Sequence, residues 1–184
     1  AYAVGKHDDL HYLEMEFVAG NSLQKILDTR QRFNAADALR VTAEIADGLA
    51  AAHRTGLIHR DVKPENVLMT KESHGLGRAK IGDFGLAKRV RGRGEKVFDG
   101  LVGTPHYMAP ELFTGTAASP STDMYALGVC LFRMLSGRLP FNGKTVKQLM
   151  SQSMTQSFPN VRVDCPELPN EVAQLVDWLV HRDP

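Results

Sequence analysis

The stretch His59-Arg60-Asp61-Val62-Lys63-Pro64-Glu65-Asn66 decides how the chain is read. It places an acid, a lysine and an amide within six positions, 61 to 66. Pro64, which lacks an N–H and clashes with the preceding turn of a helix, makes the segment a loop. Seventeen positions after Asn66 comes Asp83, opening Asp83-Phe84-Gly85. Two acids, a lysine and an amide facing one cavity supply what metal-assisted phosphoryl transfer needs. They offer hard oxygen ligands for Mg²⁺, a proton acceptor for an incoming hydroxyl and a cation for the transferred group.

Outward from this loop the texture alternates. Leu57-Ile58, Val67-Leu68-Met69 and Ala79-Lys80-Ile81 are short apolar pieces between charged or Gly-rich segments, and they read as short strands. Upstream, Asn34 is a good N-cap for a helix running to about Arg54 and stopped by Gly56. Within it Ala38, Val41, Ile45, Leu49 and Ala52 share one face, which is expected in the core. A shorter helix is expected from Ser22 to about Thr29. The opening reads as two strands, residues 1–4 and 11–17, joined by a polar turn and belonging to no wider sheet. Downstream, residues 88–100 hold five basic residues and three glycines with neither helical nor strand period, and read as an exposed loop. After Asp123 a stripe of Met124, Leu127, Leu131 and Leu135 predicts a helix stopped by Gly137, with further helices near 145–153 and 170–180.

Composition narrows the class. With 184 residues and 43% hydrophobic content, one domain with a sizeable core is expected, and no internal repeat or linker divides it. The net charge of +1 gives no global field toward nucleic acid or an acidic membrane, so no nucleic-acid partner is expected. Cys130 and Cys165 have neither CxxC nor Cys/His ligand spacing, which argues against a disulfide framework or a zinc site and fits a reduced, cytoplasmic setting. No apolar run approaches the roughly 18 to 20 residues of a membrane span, so no membrane segment is expected in this chain.

Three ordered motifs, HRDVKPEN at 59–66, DFG at 83–85 and Gly103-Thr104-Pro105-His106-Tyr107-Met108-Ala109-Pro110-Glu111, together resemble the eukaryotic-type Ser/Thr protein kinase family. The resemblance runs from Met15-Glu16-Phe17-Val18, similar to the hinge of that family, to Ser121–Gly128, similar to the central helix of its large lobe. It covers essentially the whole chain, and the run ADGLAAAH at 46–53 is similar to bacterial members. It implies an α+β, mainly helical fold in which residues 1–18 end the N-lobe sheet and form the hinge, and 19–184 form the C-lobe without its final helix. The cofactors implied are ATP and Mg²⁺, and the partner is a protein with a Ser or Thr acceptor. Lys63 two positions after Asp61, and Gly103-Thr104-Pro105, resemble Ser/Thr rather than Tyr kinases.

The resemblance assigns roles residue by residue, each against an ordinary alternative. Asp61 would be the catalytic base and Lys63 the cation on the transferred phosphoryl; the alternatives are solvated loop charges. Asn66 and Asp83 would hold Mg²⁺, against a turn-forming Asn. Met15, Leu68 and the backbone of Glu16 and Val18 would bound the adenine, and Lys63, Glu65, Asn66 and Asp83 would complete the nucleotide-binding set. Taken alone, Met15 and Leu68 would pass for core. His59 and Phe84 would align the site by packing, Gly85 beside them would be structural or regulatory, Thr104 would bond near Asp61 and Lys63, and Glu111 would pair with an arginine of the family. Asp123 would accept backbone N–H groups from beneath the loop, or else cap a helix. Arg60 would meet an anion of the activation loop. Because Leu86 to Val102 contains no Ser, Thr or Tyr, Asp99 or Glu95 are the candidates.

No GxGxxG, strand lysine of VAIK type or partnering helix Glu occurs among these residues. The expectation is therefore a fragment truncated at both ends and inactive alone, from an active parent. A pseudokinase scaffold and a small-molecule phosphotransferase are the alternatives.

Overall fold

The computed structural model describes residues 2–72, 75–84 and 105–181. An antiparallel hairpin opens the chain: β1 (Ala3–His7) pairs with β2 (Leu10–Glu14) from Ala3 opposite Glu14 to His7 opposite Leu10. The strands are thus shifted from the expected 1–4 and 11–17. The turn has two residues rather than five because Asp8 accepts a left-handed backbone, φ 52°, as the tight hairpin requires. Gly5 lies under the Tyr12 ring, where a Cβ would come within 2.3 Å of Cζ.

A second sheet joins β3 (Gly20–Ser22), β4 (Val67–Thr70) and β5 (Ala79–Ile81), in the order β3-β4-β5 and antiparallel throughout. Its first strand, three polar or glycyl residues, has no apolar alternation to announce it. It forms because Gly20 lets the Met69 carbonyl approach; a Cβ there would sit 1.8 Å from that oxygen. Leu57-Ile58, expected as a strand, joins no sheet among the described residues. The Leu57 N–H instead closes the end of the preceding helix on the Ala52 carbonyl, 3.1 Å away.

The helices are α1 (Leu23–Arg30), α2 (Ala35–His53), α3 (Pro120–Ser136), α4 (Val146–Thr155) and α5 (Asn170–Leu179). Ser22 and Asn34 cap α1 and α2 through their side chains. Ala38, Val41, Ile45, Leu49 and Ala52 form the buried face of α2, which packs on α3 and β5. The third helix begins earlier than the stripe suggested, at Pro120 behind a Ser119/Thr122 capping box, and ends on Gly137 at φ 77°. It is buried almost all round, as a helix enclosed by α2 on one side and α5 on another must be.

Gly128 is where α3 and α5 meet. A Cβ there would lie 2.7 Å from Val180 Cγ1 and 2.8 Å from Leu179 Cβ. Alanine gains about 1 kcal/mol of helix propensity over glycine, whereas overpacking costs about 1 to 3 kcal/mol. We expect Gly128→Ala to be neutral to destabilising and Gly128→Val to destabilise by about 2 kcal/mol or more. Urea unfolding of the full-length protein checks this, and a more stable Gly128→Val protein would show that the two helices separate without penalty.

Candidate active site

The site is built on a buried carboxylate. Asp123 stands in the first turn of α3, 1% exposed. Its Oδ2 accepts the His59 N–H at 2.8 Å and its Oδ1 the Arg60 N–H at 2.9 Å. Ser119, and not Asp123, caps the helix. The two bonds hold a backbone that would not hold itself: Arg60 has φ 69°, a left-handed conformation that costs an L-residue about 1 to 2 kcal/mol.

From that anchor the loop is laid out one residue at a time. His59 is fully buried. Its Nδ1 accepts the Asp61 N–H at 3.3 Å, so Nε2 carries the proton and donates to the Gly82 carbonyl at 2.7 Å. The imidazole is thus a strut between the loop and the residue before Asp83. Phe84 packs on it, with ring centroids 4.6 Å apart. Pro64 stands, as expected, where no α-helix runs, and it opens a single 3₁₀ turn, Pro64–Asn66, which turns Asn66 back toward Asp61. Asn66 Nδ2 donates to the Asp61 carbonyl at 2.7 Å and to Asp61 Oδ2 at 3.1 Å. Lys63 Nζ donates to the same Oδ2 at 2.8 Å. Asp61 Oδ2 is therefore held by two donors, while Oδ1 makes no such bond with a described residue.

Asp83, at φ 55° and exposed, sits beside Asn66 because the Gly82 N–H donates to the Asn66 carbonyl at 2.9 Å. With Asn66 Nδ2 engaged, neither its Oδ1 nor the Asp83 carboxylate makes a hydrogen bond or ion pair with a described residue. One amide oxygen and one carboxylate, without a cluster of three His, Cys, Asp or Glu among the described residues, are the sparse oxygen set that suits Mg²⁺ shared with phosphates and water. The donor chemistry fits that ion.

The remaining predicted residues are more scattered. Leu68 is half-buried in the middle of β4, paired with Ser22 on one side and Lys80 on the other. Val18 is half-buried and Met15 exposed. Glu16 pairs through its carboxylate with Lys80 Nζ, which ties the segment before β3 to β5. Glu65 is exposed on the 3₁₀ turn, and its charge is felt at His106 and Tyr107. The segment from Pro105 to Thr114 lies against the loop, where Tyr107, Met108 and Leu112 face Asp61 and Val62 across a small cavity. Burial pushes the Tyr107 hydroxyl far up, so it stays a neutral phenol and accepts from Arg133 Nη1 at 2.7 Å. Burial lowers the His106 pKa, with the Arg133 charge adding to it. Glu111 is half-buried at the start of the 110–114 turn. Gly85, Thr104, Glu95 and Asp99 lie outside the described residues.

Sequence reasoning missed three participants. Arg133, on the central helix, braces Tyr107. Lys80 reads as an ordinary polar strand residue. His53 donates through Nε2 to Asp123 Oδ2 at 2.8 Å. A signal existed for the last, since His53 falls four positions after Leu49, at the edge of the apolar face.

The protein kinase domain family matches residues 1–184. A probable serine/threonine-protein kinase of Bifidobacterium longum, pknA2, is 35% identical over 98% of this chain and 23% of its own length. The serine/threonine-protein kinase PrkC of Bacillus subtilis is 30% identical over 100% of the chain and 28% of its own. PkaB of Streptomyces coelicolor, also a serine/threonine-protein kinase, is 38% identical over 89% of the chain and 39% of its own. The chain therefore spans well under half the length of these relatives, and with the whole of its sequence matched it belongs to the protein kinase domain family.

Proposed function

We propose that the protein carrying this chain is an ATP- and Mg²⁺-dependent kinase that phosphorylates Ser or Thr hydroxyls of protein substrates. The observation that carries the reading is the Asp61 carboxylate, pinned through one oxygen by Lys63 and Asn66 and open at the other. Asp61 Oδ1 accepts the proton of the incoming hydroxyl as its oxygen bonds to the γ-phosphorus and the bond to the ADP oxygen breaks. Lys63, already at Asp61, places a positive charge where the transferred group passes. Asn66 Oδ1 and Asp83 would hold Mg²⁺, which when bound screens the phosphate charge. Leu68, Met15 and the 16–18 backbone bound the adenine side, while Glu65 faces the protein substrate as well as the nucleotide.

In this reading residues 1–18 close the small lobe and 19–184 make the large one. The 184 residues by themselves lack a Gly-rich loop, strand lysine and helix Glu to clamp the nucleotide, so they would transfer phosphate poorly without a complementary lobe. A cytoplasmic setting is part of the same reading, supported by the two free, buried cysteines Cys130 and Cys165. No helix among the described residues is long and apolar enough to cross a membrane.

Transfer of labelled γ-phosphate from ATP to Ser or Thr of a protein, by the full-length protein, tests the reading; phosphate appearing only on a small molecule would overturn it. A sharper expectation concerns the metal. Asp83→Ala should weaken nucleotide binding in the presence of Mg²⁺ by about tenfold or more, with little change in its absence, because a carboxylate is the strongest oxygen ligand the site offers. Titration of a fluorescent ATP analogue with and without Mg²⁺ measures this, and an unchanged Mg²⁺ dependence would remove Asp83 from the metal site.

A further inference from the structure

We propose that Arg133 determines substrate specificity: together with His106 it takes up an acidic side chain of the protein substrate close to the Ser or Thr being phosphorylated, a role that deepens the kinase reading above and rests on it. Arg133 is half-buried on α3, and its guanidinium carries five N–H donors. One of them, on Nη1, goes to the Tyr107 hydroxyl at 2.7 Å, and no carboxylate of a described residue stands within ion-pair distance of the group. His106 holds a second loose end. Its Nδ1 is buried without a hydrogen-bond partner among the described residues, where such an atom is ordinarily paired. Burial first, and then the Arg133 charge, lowers the His106 pKa, so the ring is neutral and has one proton to place. Placed on Nδ1, that proton makes the nitrogen a donor. The group that accepts from both side chains and balances the guanidinium is a carboxylate.

Position says whose carboxylate it is. The turn Pro105–Tyr107 packs against both α3 and α4. Tyr107 lines the same small cavity as Asp61 and Val62, while its hydroxyl reaches Arg133. Arg133 is thus one tyrosine side chain away from the loop, a span that two or three residues of extended peptide cover at about 3.3 Å each. A peptide with its hydroxyl at Asp61 Oδ1 therefore carries a neighbouring side chain to this pair. Glu65 stands nearby with the opposite sign, but it is exposed, and its charge acts on His106 and Tyr107 more weakly than that of Arg133. Water and salt screen an exposed charge more than a half-buried one, so the cation sets the sign of the site. A residue that merely braced Tyr107 would need one donor and no charge.

The test uses the full-length protein as wild type, as Arg133→Gln, which keeps a donor but loses the charge, and as Arg133→Glu, which reverses it. The probes are peptides with a single Ser, identical except that Glu, Gln or Lys occupies, in turn, each of the three positions on either side. Ratios of kcat/KM between peptides are taken within each protein, so a general loss of activity or of folded protein cancels. Wild type should prefer Glu over Gln about tenfold at a position within this window, the scale set by one hydrogen bond between charged groups. The preference should lie in KM more than in kcat, because the contact is the same before and during transfer. In Arg133→Gln the ratio should fall to within about twofold of unity, and in Arg133→Glu the Lys peptide should be favoured at that position. A wild type indifferent to charge, a preference that survives in Arg133→Gln, or a loss that falls equally on all peptides, as a mere brace would give, would each overturn the proposal. Binding of the same peptides, labelled with fluorescein, is followed by anisotropy without ATP. If wild type transfers no phosphate to protein or peptide, the kinase reading fails by itself, and the Glu-to-Gln binding ratio in wild type against Arg133→Gln still decides whether Arg133 takes an acidic side chain.

Discussion

Asp61→Asn in the full-length protein is expected to lower kcat by more than about a hundredfold, the usual contribution of a positioned general base. The affinity for ATP should stay within about twofold, because the lost interaction exists only as the hydroxyl gives up its proton. The structure explains why the effect should be this clean. The asparagine can keep its oxygen at the Oδ2 position, where Lys63 and Asn66 donate at 2.8 and 3.1 Å, so the loop has no reason to move. The amide nitrogen then occupies the Oδ1 position and offers a donor where an acceptor is needed. Steady-state kinetics with a protein substrate, beside nucleotide titration, measures both quantities. Turnover within tenfold of wild type would show that proton removal is not what Asp61 does.

How much of this was legible in the sequence depends on the range of the interaction. Caps and helix faces are local, so Asn34, the buried face of α2 and Gly137 could be read directly. The loop chemistry was legible as a motif: Asp61, Lys63 and Asn66 lie within six positions, and their mutual hydrogen bonds are largely a consequence of that spacing. What could not be read were contacts made by backbone groups over long separations. Strand β3 exists because glycine admits the Met69 carbonyl, and no alternation of side chains reports that. The Gly82 carbonyl that receives His59 is invisible to any residue pattern. Leu57-Ile58 misled because two apolar residues after a glycine look like a strand, whereas Leu57 completes a helix end. The resemblance placed Asp123 beneath the loop but was silent on His53, which meets it from 70 positions away.

Asp123 is where the second large effect is expected, because replacing it separates anchoring from chemistry. In Asp123→Ala the buried His59 N–H and the part-buried Arg60 N–H lose their acceptor together, and an orphan that is fully buried costs about 1 to 3 kcal/mol. With His53 also left unpaired, the sum reaches several kcal/mol, a large part of the 5 to 15 kcal/mol that keeps a domain folded. We expect Asp123→Ala to be recovered poorly and to unfold at markedly lower urea concentration. Asp123→Asn is the more telling change, since it keeps the shape and one oxygen. That oxygen is best placed at the Oδ2 position, where two donors converge, which turns the new amide N–H₂ toward the Arg60 N–H, donor against donor. The loop would then stay tied at His59 and come free at Arg60. Stability should fall by only about 1 to 3 kcal/mol, while kcat falls by more than about tenfold, since Asp61 follows Arg60 directly and misplacement of a reacting group is punished steeply in rate. Urea unfolding and steady-state kinetics on the same preparations separate the two effects. An Asp123→Asn protein as stable and as active as wild type would mean that the left-handed Arg60 is held by something other than this carboxylate.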